Sequence, residues 1–230
     1  MEIKNFTDLL WNAQKKYMED FGNRKESRFF AFRDMFGYFK KGQTIALIAC
    51  GGIVDDMFLT MERIGREGKI ILIDEDPAFL YNRALAILGN KRLNDRKEYY
   101  VKGKGKMILE KLFSEARIEA YTQRLPPYPK QVKDNSVDHI MAINAAYELM
   151  SPGPNGEPAD TYNLILETYK KLRKHGSFMV QGLMIDDIEL FKIHVERVIE
   201  KEGIRFVEDK SLVSNNFSVA RGYWGRWVKG

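Results

Sequence analysis

Thr44-Ile45-Ala46-Leu47-Ile48-Ala49-Cys50-Gly51-Gly52 is the stretch on which the fold turns. Its β-branched and apolar run is too short for a core helix and lacks the alternation of a strand with one wet face, so it reads as a strand covered on both sides. Gly51-Gly52 stops it, and a helix from about Asp55 to Ile64 follows. A strand, a glycine turn and a helix in that order form the opening of a βαβ unit.

The same alternation continues downstream. Lys69 to Ile73 reads as a second buried strand ending at Asp74, after which Pro77 suits the first turn of a helix reaching about Leu88. A helix over Lys106 to Ala116 feeds a strand over Arg117 to Thr122. Strands over Ser136 to Ile143 and Ser177 to Leu183 flank a helix from Asp160 to Arg173. A last helix, Asp186 to Glu202, precedes strands at Ile204 to Glu208 and Ser218 to Trp227. Upstream, Phe6, Leu9, Leu10, Ala13, Tyr17 and Phe21 recur at helical spacing, and a second helix covers about Glu26 to Phe39. The expectation is an α/β fold with a mostly parallel sheet wound on both faces. Residues 1–41 form a helical extension or cap, and 42–230 form the sheet domain.

A chain of 230 residues with 44% hydrophobic content can bury one sizeable core. No apolar stretch approaches the roughly 20 residues of a membrane span. Met1 to Thr7 lacks the basic start and apolar run of a secretory signal. Cys50 is the sole cysteine, so the chain can make neither an internal disulfide nor a cysteine-based zinc site, which fits a reducing, cytoplasmic setting. The net charge of +5 is a mild excess that does not by itself imply nucleic acid. His139, His175 and His194 show no metal-ligand pairing and are expected at the surface of a strand, a turn and a helix. Neither a Gly-x-Ser-x-Gly elbow nor a phosphate-binding Gly-Lys-Ser/Thr loop is present.

Gly51-Gly52 lets a ligand approach the backbone where helix-terminal N–H groups face an anion. Asp74 stands 23 residues beyond Gly51 at the end of the next strand, where a carboxylate can accept hydrogen bonds from a ribose diol. Together they make the geometry of an adenosine site.

Four segments resemble the class I S-adenosylmethionine-dependent methyltransferases over roughly Gly42 to Val228. Leu47 to Gly52 is similar to that family's first motif, and Ile70 to Pro77 to its second strand with the ribose-binding acid. Asn135 to Ala142 resembles the fourth strand. Leu172 to Val180 resembles the helix end, glycine turn and fifth strand. The resemblance implies a Rossmann-like, seven-stranded sheet closed by an antiparallel C-terminal hairpin. It implies S-adenosylmethionine as cofactor, held by Ala49, Cys50, Gly51, Gly52, Asp74, Glu75, Thr122, Gln123 and Asn144. No metal is implied, and no base is assigned, although Tyr147 and Glu148 follow the fourth strand.

The sequence departs from the pattern at Leu47, where an acid is usual, and at Ala49 and Ile53, where glycines are usual. Asp55 and Asp56 can replace the missing charge or simply complement the helix dipole. The acceptor is expected to be a small molecule or a protein side chain. The leading helices and the Ser151 to Pro158 loop, with three prolines and two glycines, would close over it. Two other activities stay open. One is aminopropyl transfer from the same cofactor, as in nicotianamine synthase-like enzymes. The other is action on, or binding of, nucleic acid through the Lys102 to Lys106 loop and the basic-aromatic segment Arg221 to Lys229, although that segment reads first as an amphipathic edge strand whose Trp residues pack on the core. Leu125-Pro126-Pro127-Tyr128 resembles a nucleobase-methyltransferase signature but precedes the fourth strand, on the wrong edge for that role.

Overall fold

The computed structural model describes residues 6–22, 33–50, 55–76, 117–143, 145–151, 159–182, 184–209 and 223–230. The expected helices at Pro77 to Leu88 and Lys106 to Ala116, the Lys102 to Lys106 loop and most of the Ser151 to Pro158 loop lie outside those residues.

β1 (Thr44–Ile48) and β2 (Lys69–Asp74) are buried almost end to end, as continuous apolar runs require in a parallel sheet covered on both faces. They pair in parallel, with Ile48 opposite Ile73. β3 (Ile118–Thr122), β4 (Val137–Ala142), β5 (Leu172–Gly182), β6 (Phe206–Glu208) and β7 (Tyr223–Lys229) complete a seven-stranded sheet in the order β3-β2-β1-β4-β5-β7-β6. β1 to β5 are parallel, and β7 runs antiparallel between β5 and β6. This is the doubly wound sheet with an antiparallel C-terminal hairpin that the sequence leads one to expect.

Successive side chains point to opposite faces. Ile45, Leu47, Ile70 and Leu72 pack against α1 (Phe6–Gly22), α2 (Arg33–Phe36) and α3 (Asp55–Ile64). Ala46, Ile48, Ile71 and Ile73 share the other core layer with α5 (Thr161–Lys171) and α6 (Ile185–Glu202), while a short α4 (Ala146–Met150) follows β4. α1 is seated on α3: Leu10 is fully buried, Gln14 Nε2 donates to Glu62 Oε2 at 2.9 Å, and the Tyr17 and Phe58 rings lie 5.1 Å apart. Asp160 caps α5 by accepting from the Asn163 N–H. Gly203 ends α6 in the left-handed conformation, at φ 63°.

Two sequence expectations are corrected. The helix expected to reach Arg173 ends at Lys171, and the strand expected from Ser177 begins at Leu172. Leu172 leaves the helix in an extended conformation and pairs with Val137, after which the register slips before His139 meets Ser177. Gly176 sits at that slip because a Cβ there would come within 2.6 Å of the Asp138 carbonyl oxygen. His139, expected at the surface, is only 5% exposed; its Nδ1 lies 2.8 Å from Ser177 Oγ, and its ring packs on Phe39. Trp224 and Trp227 are each 2% exposed and belong to the core, as the packed-strand reading of that segment has it and against a base-stacking surface.

Candidate functional site

Strand order reverses between β1 and β4: β2 and β3 lie on one side, β4 and β5 on the other. Chain connections leave the carboxyl ends of these two strands in opposite directions, opening the crevice where ligands bind in open α/β sheets. The first side of the crevice is built by the segment that follows β1. Ala49 turns out of the strand at φ 47°, a left-handed value that a non-glycine residue adopts rarely. Cys50 is buried, with its Sγ 3.7 Å from the Ile73 carbonyl oxygen, which ties the turn to the neighbouring strand. Gly51 and Gly52 lie outside the described residues.

Asp74, one residue past the Ile48–Ile73 pair, closes β2 opposite Thr122 of β3. It is 9% exposed, and its Oδ1 accepts the Asp76 N–H at 2.9 Å. That bond takes one of the about four lone-pair sites a carboxylate offers. The Asp74 carbonyl accepts the Gln123 N–H at 2.8 Å, so the segment after β3 is fastened to the end of β2. Thr122 is exposed, and the Gln123 side-chain amide is turned onto the Pro127 carbonyl. Glu75 is exposed, with its Oε2 3.9 Å from Arg124 Nε.

Ala49, Cys50, Asp74, Glu75, Thr122 and Gln123 thus line up along the carboxyl edge of three adjacent strands. Asn144 lies outside the described residues. Its neighbour Ala145 is held by an N–H to the Gln181 carbonyl at 3.1 Å. Gln181, fully buried at the end of β5 with its Nε2 on the Gly182 carbonyl, was not singled out from the sequence. The signal available was an amide directly after the apolar run Phe178-Met179-Val180.

Leu47, standing where an acid is usual, is 1% exposed and packs in the α1–α3 core layer below the turn. Asp56 is 4% exposed and accepts the Met57 N–H in the first turn of α3, which fits the helix-dipole role. The Tyr128 hydroxyl lies 2.8 Å from Thr168 Oγ1, so the Leu125 to Tyr128 segment ends in the core. Tyr147, 66% exposed at the start of α4, stands just beyond the end of β4. Among the described residues no cluster of metal-ligating side chains occurs, and no helix is long and apolar enough to cross a membrane.

No protein-family model and no curated protein matches the chain. Solved structures do. The chain is similar to an S-adenosylmethionine-dependent methyltransferase of Aquifex aeolicus, at 16% identity and a TM-score of 0.53 over 86% of this chain and 87% of that one. A chain of the complex between the Haloferax volcanii Trm112 methyltransferase activator and a methyltransferase is matched at 13% identity, a TM-score of 0.52 and coverages of 100% and 99%. A precorrin-6y C5,15-methyltransferase of Geobacter metallireducens is matched at 13% identity, a TM-score of 0.50 and 90% of both chains. At such identities the likeness is one of fold: the chain has the Rossmann-like fold of the class I S-adenosylmethionine-dependent methyltransferases.

Proposed function

We propose that the protein binds S-adenosylmethionine along the carboxyl edge of β1, β2 and β3 and transfers its methyl group to a small molecule or a protein side chain. The observation that carries this is Asp74: a carboxylate only 9% exposed at the end of β2, one residue past the Ile48–Ile73 pair and so next to the β1 turn. In this reading Asp74 accepts the ribose hydroxyls. The backbone of Ala49, Cys50, Gly51 and Gly52 lies along the methionine portion, Glu75 flanks the ribose, and Thr122 and Gln123 flank the adenine. Asn144 borders the transferable methyl group.

The cofactor supplies a sulfonium-bound methyl group with a good leaving group already in place. The chain's task is therefore to align the acceptor and keep water out. The Ala145–Gln181 hydrogen bond fixes the segment entering α4, so an acceptor resting on Tyr147 and Glu148 would meet a backbone of defined position. The Ser151 to Pro158 loop covers the acceptor in the same reading, while α1 and α2 pack on α3 and the sheet face.

The test is incubation of a cell extract with the protein and methyl-labelled S-adenosylmethionine, followed by mass spectrometry of the small-molecule, protein and nucleic-acid fractions. Label in the small-molecule or protein fraction that disappears with the Asp74→Ala variant is the expected result. Label confined to nucleic acid would replace the proposed acceptor class. An acceptor that gains the cofactor's aminopropyl-type group without label, the label remaining on methylthioadenosine, would replace the reaction.

A further inference from the structure

The opposite edge of the sheet holds a cavity of about 430 Å³, far from the carboxyl ends of the strands. Five residues of β1 at about 3.3 Å each separate the two edges. Lys40, Lys174, His139, His175 and Arg226 line the cavity together with a single acid, Asp138. That acid is already compensated: its Oδ2 accepts the Thr44 N–H at 2.7 Å, and Arg173 Nη1 lies 3.1 Å from its Oδ1. Arg226 is held by Asp209 and lies 3.9 Å over the Tyr38 ring. Lys40 and Lys174 make no ion pair among the described residues, so the cavity keeps an excess of positive charge.

Two further observations bear on an occupant. His139 Nε2 and Arg226 Nε are buried beside the cavity without hydrogen-bond partners among the described residues. Burial holds His139 down to about 4, and the nearby Arg226 and Lys40 charges lower it further than Asp138 raises it. The imidazole is therefore neutral at physiological pH, and a bound anion would offset the Arg226 and Lys40 charges beside it.

We propose that this cavity is a second ligand site, which takes a small phosphate-bearing anion between Lys40 and Lys174. Its volume suits a phosphoryl group with a small organic body. A nucleic-acid strand is disfavoured because Trp224 and Trp227, which would supply stacking surfaces nearby, are buried. The site stands apart from the cofactor reading, and neither depends on the other.

The experiment is calorimetric titration of pyrophosphate into the full chain at constant ionic strength, repeated with Lys40→Ala, Lys174→Ala and the double variant. Both lysines are exposed, so the variants keep the fold, which melting temperatures verify. Saturable one-to-one binding that weakens about tenfold with each lysine, and about a hundredfold in the double variant, is expected. S-adenosylhomocysteine binding, measured in parallel, stays unchanged; its absence in every protein would refute the cofactor reading and leave the pyrophosphate result intact. Absence of saturable pyrophosphate binding, or equal affinity in the double variant, overturns the proposal. So does tighter, steeply salt-dependent binding of single-stranded RNA lost in the same variants, which would assign the site to a polymer.

Discussion

At His139, burial decides the charge, and the consequence is measurable. The ring titrates at about 4 in the folded chain against an ordinary 6.5, so between those values the unfolded chain binds the extra proton. Stability contributed by the neutral ring is complete above pH 6.5 and is lost as pH falls toward 4. By linkage the loss between pH 8 and pH 5 is about 2 kcal/mol. Urea denaturation should show His139→Asn losing less stability than the unmodified chain over that interval; parallel pH profiles would contradict the assignment. The residue's burial could not be read from sequence because it depends on Phe39 and Ser177, brought to it from α2's C-terminal flank and from β5. Asp74 was legible, since a strand end 23 residues past a glycine turn is a matter of spacing. Its replacement by Ala should weaken S-adenosylhomocysteine binding by roughly tenfold to a few hundredfold. Each hydrogen bond to a charged group is worth about 1.5–3 kcal/mol, and solvent recovers part of that. Unchanged affinity in a folded variant would reduce Asp74 to a residue that accepts the Asp76 N–H and starts the next segment.

Among the elements, buried parallel strands were the most legible: β1, expected over Thr44 to Ala49, and β2, expected over Lys69 to Ile73, each end within one residue of those limits, because their apolar runs are bounded by polar or glycine residues. The join between α5 and β5 was not. Leu172-Arg173-Lys174-His175 has the composition of a helix end, yet pairing with β4 claims Leu172 for the sheet. Gly176 is the hinge of that arrangement, since a methyl group there would press on the Asp138 and Arg173 carbonyl oxygens at 2.6 and 2.9 Å. Backbone on both sides leaves little room for relief. Gly176→Ala should therefore cost about 1–3 kcal/mol in chemical denaturation with little change in the denaturant slope. A neutral effect would mean that the strands part there without penalty.

For the molecule as a whole, the seven-stranded, mostly parallel sheet and the antiparallel hairpin followed from alternation together with the methyltransferase resemblance, and the sheet bears out both. What the sequence left ambiguous was the basic-aromatic end. Tyr223 to Lys229 reads first as an edge strand with its Trp residues packed on the core and second as a stacking surface; pairing between β5 and β6 sets it inside the sheet and buries Trp224 and Trp227, which bears out the packing. Tryptophan fluorescence should accordingly stay constant when single-stranded RNA is added, whereas quenching that saturates would restore a nucleic-acid role. The central claim, that the crevice at the carboxyl ends of β1 and β2 is built for S-adenosylmethionine, is tested most directly by calorimetry with S-adenosylhomocysteine and NAD in parallel. One-to-one binding of S-adenosylhomocysteine without binding of NAD is predicted. Binding of NAD with none of S-adenosylhomocysteine would contradict it.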